Sequence, residues 1–295
     1  MGTLISPLPV PPVIKLIRPH HWIKSGFVAA PLFFTPSVVS TESVLLVALG
    51  VLCWSLVASA IYILNDWRDV ERDRAHPTKC KRPLAAGTVT LPVAITLMLA
   101  LAAGGLMGAW CLLPAFFIYL LVYAVLNIAY SLRLKHIAVI DVMCIALGFV
   151  LRVEAGAALI GITPSAWIVI LTGLLALFLG FAKRRDDIVK TLGTDHRRSL
   201  DGYSRPFLDV VLAITLGAAL VSYLIYTTDP EVQERLGTDT LFYTAPFVIY
   251  GMLRYLQLTI VKERSGSPTA VILTDKPMIA TGLGWVLTFI WLMYA

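Results

Sequence analysis

The sequence predicts an all-α integral membrane protein with about nine transmembrane helices, on three observations. Apolar residues fill 58% of the 295 positions and charged residues only 14%, whereas a soluble domain carries about 25% charge. The apolar residues gather into runs of near-bilayer length, roughly 20 residues being what a helix needs to cross. All but two of the 24 Lys and Arg residues lie before or at the start of the first run, or at alternate boundaries between later ones. No stretch alternates as a half-buried strand would, and no soluble domain or low-complexity linker interrupts the pattern.

Residues 1–13, rich in proline (Pro7, Pro9, Pro11, Pro12), read as a flexible tail, and residues 14–295 as one transmembrane domain. No basic segment precedes an apolar core at the start, so no cleavable signal peptide is expected. Lys15 to Lys24 read as an interfacial segment with Trp22 at headgroup depth. Spans are expected near 23–38, 43–64, 88–108, 112–130, 137–160, 165–182, 207–227, 240–260 and 277–294. The first is short and carries Pro31, which favours a partly interfacial course. Cys53, Cys80, Cys111 and Cys144 lack paired spacing and histidine neighbours, so neither disulfides nor zinc are expected.

The two exceptional bases are Arg152, inside a span, and Arg235, in a loop shared with Asp229, Glu231, Glu234 and Asp239. Positive charge accumulates on the cytoplasmic side of membrane proteins. The N-terminus and every basic loop are therefore expected in the cytoplasm, in a multi-pass protein of the inner (plasma) membrane. The net charge of +6 is modest, and no nucleic-acid partner is expected.

The chain is organised around Tyr62 to Arg74, which continues to Lys79-Cys80-Lys81-Arg82-Pro83 where the second span meets water. If the helix runs through it, Asn65, Asp69 and Asp73 form an i, i+4, i+8 row with Asp66 beside it. Three carboxylates and an amide on one face repel each other unless a cation sits among them. Mg²⁺ suits them, being held by one or two carboxylates while waters and substrate phosphates complete its octahedron. Six Lys and Arg residues from Arg68 to Arg82 surround the acids, as a magnesium-diphosphate ligand requires.

Further ionisable residues mark the same side. Arg133, Lys135 and His136 form a short turn after the fourth span, and Asp141, Arg152 and Glu154 lie within the fifth. Charged groups at membrane depth are costly and face a polar cavity or a partner. Arg152 and Glu154 neutralising each other is one alternative; capping or snorkelling by Asp141 is another. After the sixth span come Lys183-Arg184-Arg185-Asp186-Asp187, then His196-Arg197-Arg198 and Asp201-Gly202-Tyr203. Two acidic helix mouths facing each other would clamp a diphosphate through metal ions. The last loop, Arg254 to Lys276 with Gly266, Pro268 and Asp275, says little alone.

Asn65-Asp66-x-x-Asp69-x-x-x-Asp73 resembles the first acidic motif of the UbiA superfamily of intramembrane transferases. The resemblance covers essentially the whole chain. It implies nine helices around a central cavity open to the cytoplasm and laterally to lipid. Within the superfamily the chain looks most like the branch that moves 5-phosphoribosyl from phosphoribosyl pyrophosphate to a polyprenyl phosphate. Arg18-Pro19-x-x-Trp22-x-Lys24, His76-Pro77-Thr78-Lys79-x-x-Arg82-Pro83, Leu134-Lys135-His136, Leu151-Arg152-x-x-Ala155-Gly156 and Lys183-Arg184 carry that likeness. Asp187 stands where Glu is expected, with Asp186 as an additional acid, and Ser25 follows Lys24 where Asn is usual.

The resemblance implies a Mg²⁺-dependent membrane glycosyltransferase that supplies a lipid-linked pentose donor for cell-envelope glycans. Asp66, Asp69, Asp73 and Asp187 become its candidate catalytic acids and, with Asn65, its metal ligands. Lys24, Lys79, Arg82 and Lys183 are the expected holders of the donor's phosphates, with Lys135 and Arg152 on the lipid phosphate. Asn65, Arg72, Tyr130, Asp141, Arg184 and Tyr203 complete the candidate substrate-binding set. Membrane lipid is a further partner, and homo-oligomerisation is left open.

Chemistry separates this reading from its rivals. Prenyl transfer and phosphoribosyl transfer both develop positive charge at carbon and negative charge on pyrophosphate, so both need cations on the leaving group. A phosphate monoester, with a second pKa of about 6, is largely dianionic at neutral pH and needs no general base. An aromatic acceptor, used by other prenyltransferases of the superfamily, favours a less cationic pocket. An anionic-metabolite transporter is the rival from another class; such proteins commonly carry internal repeats, and none is evident here. The CDP-alcohol phosphotransferases need an Asp-Gly and Ala-Arg pattern that the chain lacks.

Overall fold

The structure, a computed structural model, describes residues 11–190, 198–263 and 268–294. Residues 1–10 of the expected tail, His196 and Arg197 of the second charged cluster, and Gly266 lie outside the described residues. The first described helix, α1 (Pro12–Ile17), begins at Pro12. Proline at the first helical position costs nothing, because its missing N–H would be unpaired there anyway.

Among the described residues every regular element is helical. Arg18 ends α1 in the left-handed conformation (φ 56°, ψ 58°), and a 3₁₀ run, Pro19–Ala29, leads into α2 (Ala30–Phe33). The first expected span is thus a broken element; Pro19 and Pro31 each remove a backbone donor. The long α3 (Thr41–Arg68) starts at Ser40, which exchanges hydrogen bonds with Ser43 as a capping box. A short α4 (Val70–Ala75) follows at once. Then come α5 (Leu91–Leu112), α6 (Pro114–Leu132), α7 (Ile140–Leu159), α8 (Ala166–Lys190) and α9 (Arg205–Thr228). Asp229 caps α10 (Pro230–Leu236), and α11 (Ala245–Ile260), α12 (Pro268–Thr274) and α13 (Lys276–Tyr294) complete the chain.

Seven of these helices are long and apolar enough to cross a membrane: α3, α5, α6, α7, α8, α9 and α13. The other two expected spans are the broken Pro19–Phe33 segment and α11, which is 16 residues long. Helix α3 packs against α5, α6, α7 and the 3₁₀ run, α7 against α8, and α8 against α9. Trp54, Val57, Ala58 and Ile61 bury the inner face of α3 with Phe116, Leu120 and Tyr123 of α6. At Gly156 a Cβ would fall 1.9 Å from the Val28 carbonyl oxygen, so only glycine lets the 3₁₀ run lie directly on α7. Outward faces carry bare Met107, Trp110, Leu283, Leu287 and Trp291, side chains that lipid, rather than water, solvates.

A cavity of about 780 Å³ lies among α2, α8, α9, α11 and α13, with Phe27, Phe34, Leu175, Met252 and Trp285 in its wall. Its lining draws from both ends of the bundle: Ile272 and Met278 beside the basic loops, Thr163, Ser165 and Arg235 at the other end. The wall is almost wholly apolar, and the acidic residues of α3 and α4 lie outside it.

Candidate active site

The last turn of α3 carries Asn65 and Asp66, and the helix does not run on unbroken. Asp69 interrupts it (φ −99°, ψ 8°) before α4 resumes, aspartate being a poor interior residue that competes for nearby backbone. The register nevertheless survives. Asp69 N–H donates to the Asn65 carbonyl at 3.0 Å, and Asp73 N–H to the Asp69 carbonyl at 2.8 Å. The expected i, i+4, i+8 row therefore exists across a joint rather than along one helix.

Each carboxylate of this mouth meets a base from another element. Arg18 grips Asp66 with bonds of 2.6 and 2.8 Å. Arg82, in the α4–α5 loop, reaches Asp66 at 3.1 Å and Asp73 at 2.6 Å. Lys135, from the α6–α7 turn, donates to both oxygens of Asp69 at 2.7 and 3.0 Å. The side chains of Asp66 and Asp73 are 2% and 4% exposed, and burying an ionised carboxylate is tolerable only when it is paired and hydrogen-bonded. Asp69, at 34%, is the carboxylate left open.

Sequence reasoning missed Arg18 as a site residue, placing its bet on Lys24 from the same Arg-Pro-x-x-Trp-x-Lys stretch. The available signal was the Arg-Pro pair at the interface. A residue before proline is pushed away from helical angles, so a left-handed Arg18 needs something to hold it, and Asp66 does.

Beyond the acids lies a cationic strip. His21 is half-buried there, with Lys24, His20, Arg18 and Lys183 as its electrostatic neighbours. Its ring lies 5.1 Å from that of Tyr62. Arg152 sits deeper, 5% exposed, donating to the Gly148 carbonyl at 2.5 Å and the Tyr123 hydroxyl at 2.9 Å. Its guanidinium lies over Tyr123, Phe149 and Trp54 at 4.6, 5.2 and 5.5 Å. Arg152 and Glu154 do not neutralise each other: residues two apart on a helix face different ways, and Arg152 binds neutral groups instead. Arg152 Nε and Trp54 Nε1 are buried donors without an acceptor.

The second cluster closes on itself. Asp141, fully buried, accepts from Arg184 Nε and from the Tyr203 hydroxyl, both at 2.6 Å. Arg184 also donates to Asp187 at 2.9 Å. Burial, then the bond to Asp141, pushes the Tyr203 hydroxyl up and keeps its proton on. Asp141 thus neither snorkels nor caps; it is the hub of a network joining α7, α8 and the lead-in to α9. Arg185 pairs with Asp209 at 2.5 Å and donates to the Thr259 carbonyl at 2.9 Å, tying α8 to α9 and α11. Tyr130 is half-buried near Arg184, whereas Arg72, Lys79 and Lys183 are exposed.

A hard divalent cation suits the first mouth by donor chemistry. One guanidinium bonds both Asp66 and Asp73, so their oxygens lie within reach of a single small group. Among the described residues no three His, Cys, Asp or Glu side chains already converge as a metal cage. Mg²⁺ needs no such cage, since one or two carboxylates with waters and substrate phosphates hold it.

Comparison with known proteins places this arrangement in a family. The UbiA prenyltransferase family profile matches residues 25–264. A decaprenyl-phosphate phosphoribosyltransferase of Mycobacterium tuberculosis is 32% identical over 282 residues, covering 94% of this chain and 92% of its own. The enzyme of that name from Mycolicibacterium smegmatis is 33% identical over 287 residues, covering 93% and 90%. In fold, the chain resembles a UbiA homolog from Archaeoglobus fulgidus solved with GPP and Mg²⁺. That match has a TM-score of 0.70 and 20% identity, over 96% of this chain and all of the other.

Proposed function

This chain belongs to the UbiA prenyltransferase family, and we propose that it transfers 5-phosphoribosyl from phosphoribosyl pyrophosphate to a polyprenyl phosphate. The bond from the sugar's anomeric carbon to pyrophosphate breaks, a bond from that carbon to a lipid-phosphate oxygen forms, and pyrophosphate leaves. Relatives carrying that activity in their names match nearly end to end. The observation that carries the reading is the distribution of bases. Arg18, Arg82 and Lys135 surround the acids, while Arg152 stands apart, buried and without an acid. Two phosphorylated substrates need cations in two places; an aromatic acceptor needs only one.

Residues 14–295 form the transferase domain in this reading. Asp66, Asp69 and Asp73, with Asn65 and Asp187, would hold Mg²⁺, which when bound would supply positive charge to neutralise the leaving pyrophosphate. Lys24, Lys79, Arg82 and Lys183 bind the donor's phosphates. Arg152, with Lys135, draws in the acceptor phosphate from the lipid side, and the 780 Å³ apolar cavity accommodates the polyprenyl chain. Donor phosphates compete with the carboxylates for Arg82 and the acceptor phosphate for Lys135, so ion pairs seen here exchange partners during turnover. With Mg²⁺ present, phosphoribosyl pyrophosphate should raise the melting temperature of the detergent-solubilised protein. Stabilisation by geranyl diphosphate alone would favour prenyl transfer instead.

Arg152→Ala should weaken acceptor use more than donor use, and Lys183→Ala the reverse, read as separate KM values. An unchanged acceptor KM and kcat in Arg152→Ala would remove Arg152 from the acceptor site. The mouth faces the cytoplasm in this reading, so a cysteine at position 74 should be labelled only from inside and one at 234 only from outside, in a background lacking the native cysteines. External labelling at 74 in sealed cells would reverse the orientation. The matching probe position, Arg197, lies outside the described residues.

A further inference from the structure

We propose that Tyr203 is a positioning residue, a latch that holds the α6–α7 turn so that Lys135 meets Asp69, and that ties this turn through Asp141 and Arg184 to Asp187. The inference deepens the phosphoribosyl-transfer reading and rests on it for its kinetic consequences alone. Val139 carries the strain that calls for a latch. Its backbone lies at φ 67°, ψ −50°, and Ile140 N–H donates to the Ala138 carbonyl at 2.8 Å. Together these define a γ-turn with positive φ, a rare and strained turn, at a β-branched residue for which such angles are a genuine outlier. Strain of this kind persists only where the surroundings over-determine it.

The surroundings here are Tyr203 and Gly202. The Tyr203 oxygen accepts the Val139 N–H at 2.6 Å, while its O–H is donated to Asp141 at 2.6 Å. A Cβ on Gly202 would fall 2.5 Å from Ala138 Cβ, so the two segments touch as closely as glycine permits. Four residues before Val139, Lys135 is 5% exposed and bonded to Asp69. From Asp141 the chain of bonds continues through Arg184 to Asp187, at 2.6 and 2.9 Å. One phenol thus fixes a cation on the first acidic motif and, by the same oxygen, the arginine that orients the second.

Tyr203→Phe removes only the hydroxyl and leaves the Arg184–Asp141 pair to hold the fold. Hydrogen–deuterium exchange across residues 134–142 should quicken at the Val139 amide. The Mg²⁺ requirement and the KM values of both donor and acceptor should rise on the order of tenfold, as for other residues that orient metal or phosphate ligands, because Lys135 meets Asp69 and serves the acceptor phosphate. Adding Val139→Gly should restore most of the loss, since glycine takes positive φ without help. A packing role for the ring alone would show neither the exchange at Val139 nor the rescue. Unchanged exchange at Val139, or no recovery with Val139→Gly, overturns the latch. Should the parent protein transfer no phosphoribosyl group, the exchange measurement still decides the latch, and only the functional reading falls.

Discussion

Asp66→Asn, Asp69→Asn and Asp73→Asn are each expected to cut turnover on the order of 10²–10³-fold, the size seen when one preorganised electrostatic partner is lost. An amide keeps the shape of the carboxylate but loses the charge that Mg²⁺ and its diphosphate require. The three differ in their structural side effects. Asp69 is the most open and bonds Lys135 alone, so its replacement should leave the melting temperature nearest to that of the parent. Asp66→Asn strands Arg18 and half of Arg82, so some stability should go with the activity. Melting curves in detergent, run beside initial rates, separate the two effects. Near-parental rates in all three variants, or activity undiminished by EDTA, would remove the metal role.

Arg18→Ala is the second large effect. Removing one partner of a buried pair costs about 3–5 kcal/mol, because the other charge stays buried and uncompensated. Arg82 remains 3.1 Å from Asp66 and Arg18 keeps 18% of its side chain exposed, so the loss should fall at the low end of that range. Pairing Arg18→Ala with Asp66→Asn removes both charges. The double variant should be more stable than the sum of the single losses predicts, a coupling that neighbours in one network show, while activity stays lost. An Arg18→Ala protein that melts with the parent would mean that Asp66 does not depend on the bidentate grip.

Much of this was legible in the chain, for reasons that differ from residue to residue. The apolar runs gave the helices because lipid demands length and hydropathy of each span separately. The Asp row was legible because its spacing is local, and it kept its hydrogen-bond register even across the joint at Asp69. Arg152 stood out because a cation inside an apolar run has few explanations. What stayed hidden was pairing across distance. Arg18 and Asp66 lie 48 residues apart, and Tyr203 and Asp141 62 apart; their meeting depends on how α1, α3, α7 and the approach to α9 pack. Pro31 marked the first span as short and partly interfacial, but hydropathy and spacing do not register the backbone cost of Asp69 or Pro19, so the joint at Asp69 and the break beginning at Pro19 were not read.

The transfer itself is the most direct measurement. Purified protein, Mg²⁺, a polyprenyl phosphate in detergent and phosphoribosyl pyrophosphate labelled with ³²P at the 5-phosphate are combined, and the organic phase is counted. Label is expected to enter the lipid phase only with Mg²⁺ and polyprenyl phosphate both present, and to disappear with Asp66→Asn. No lipid-phase label, alongside prenylation of a hydroxybenzoate from a polyprenyl diphosphate, would contradict the assignment.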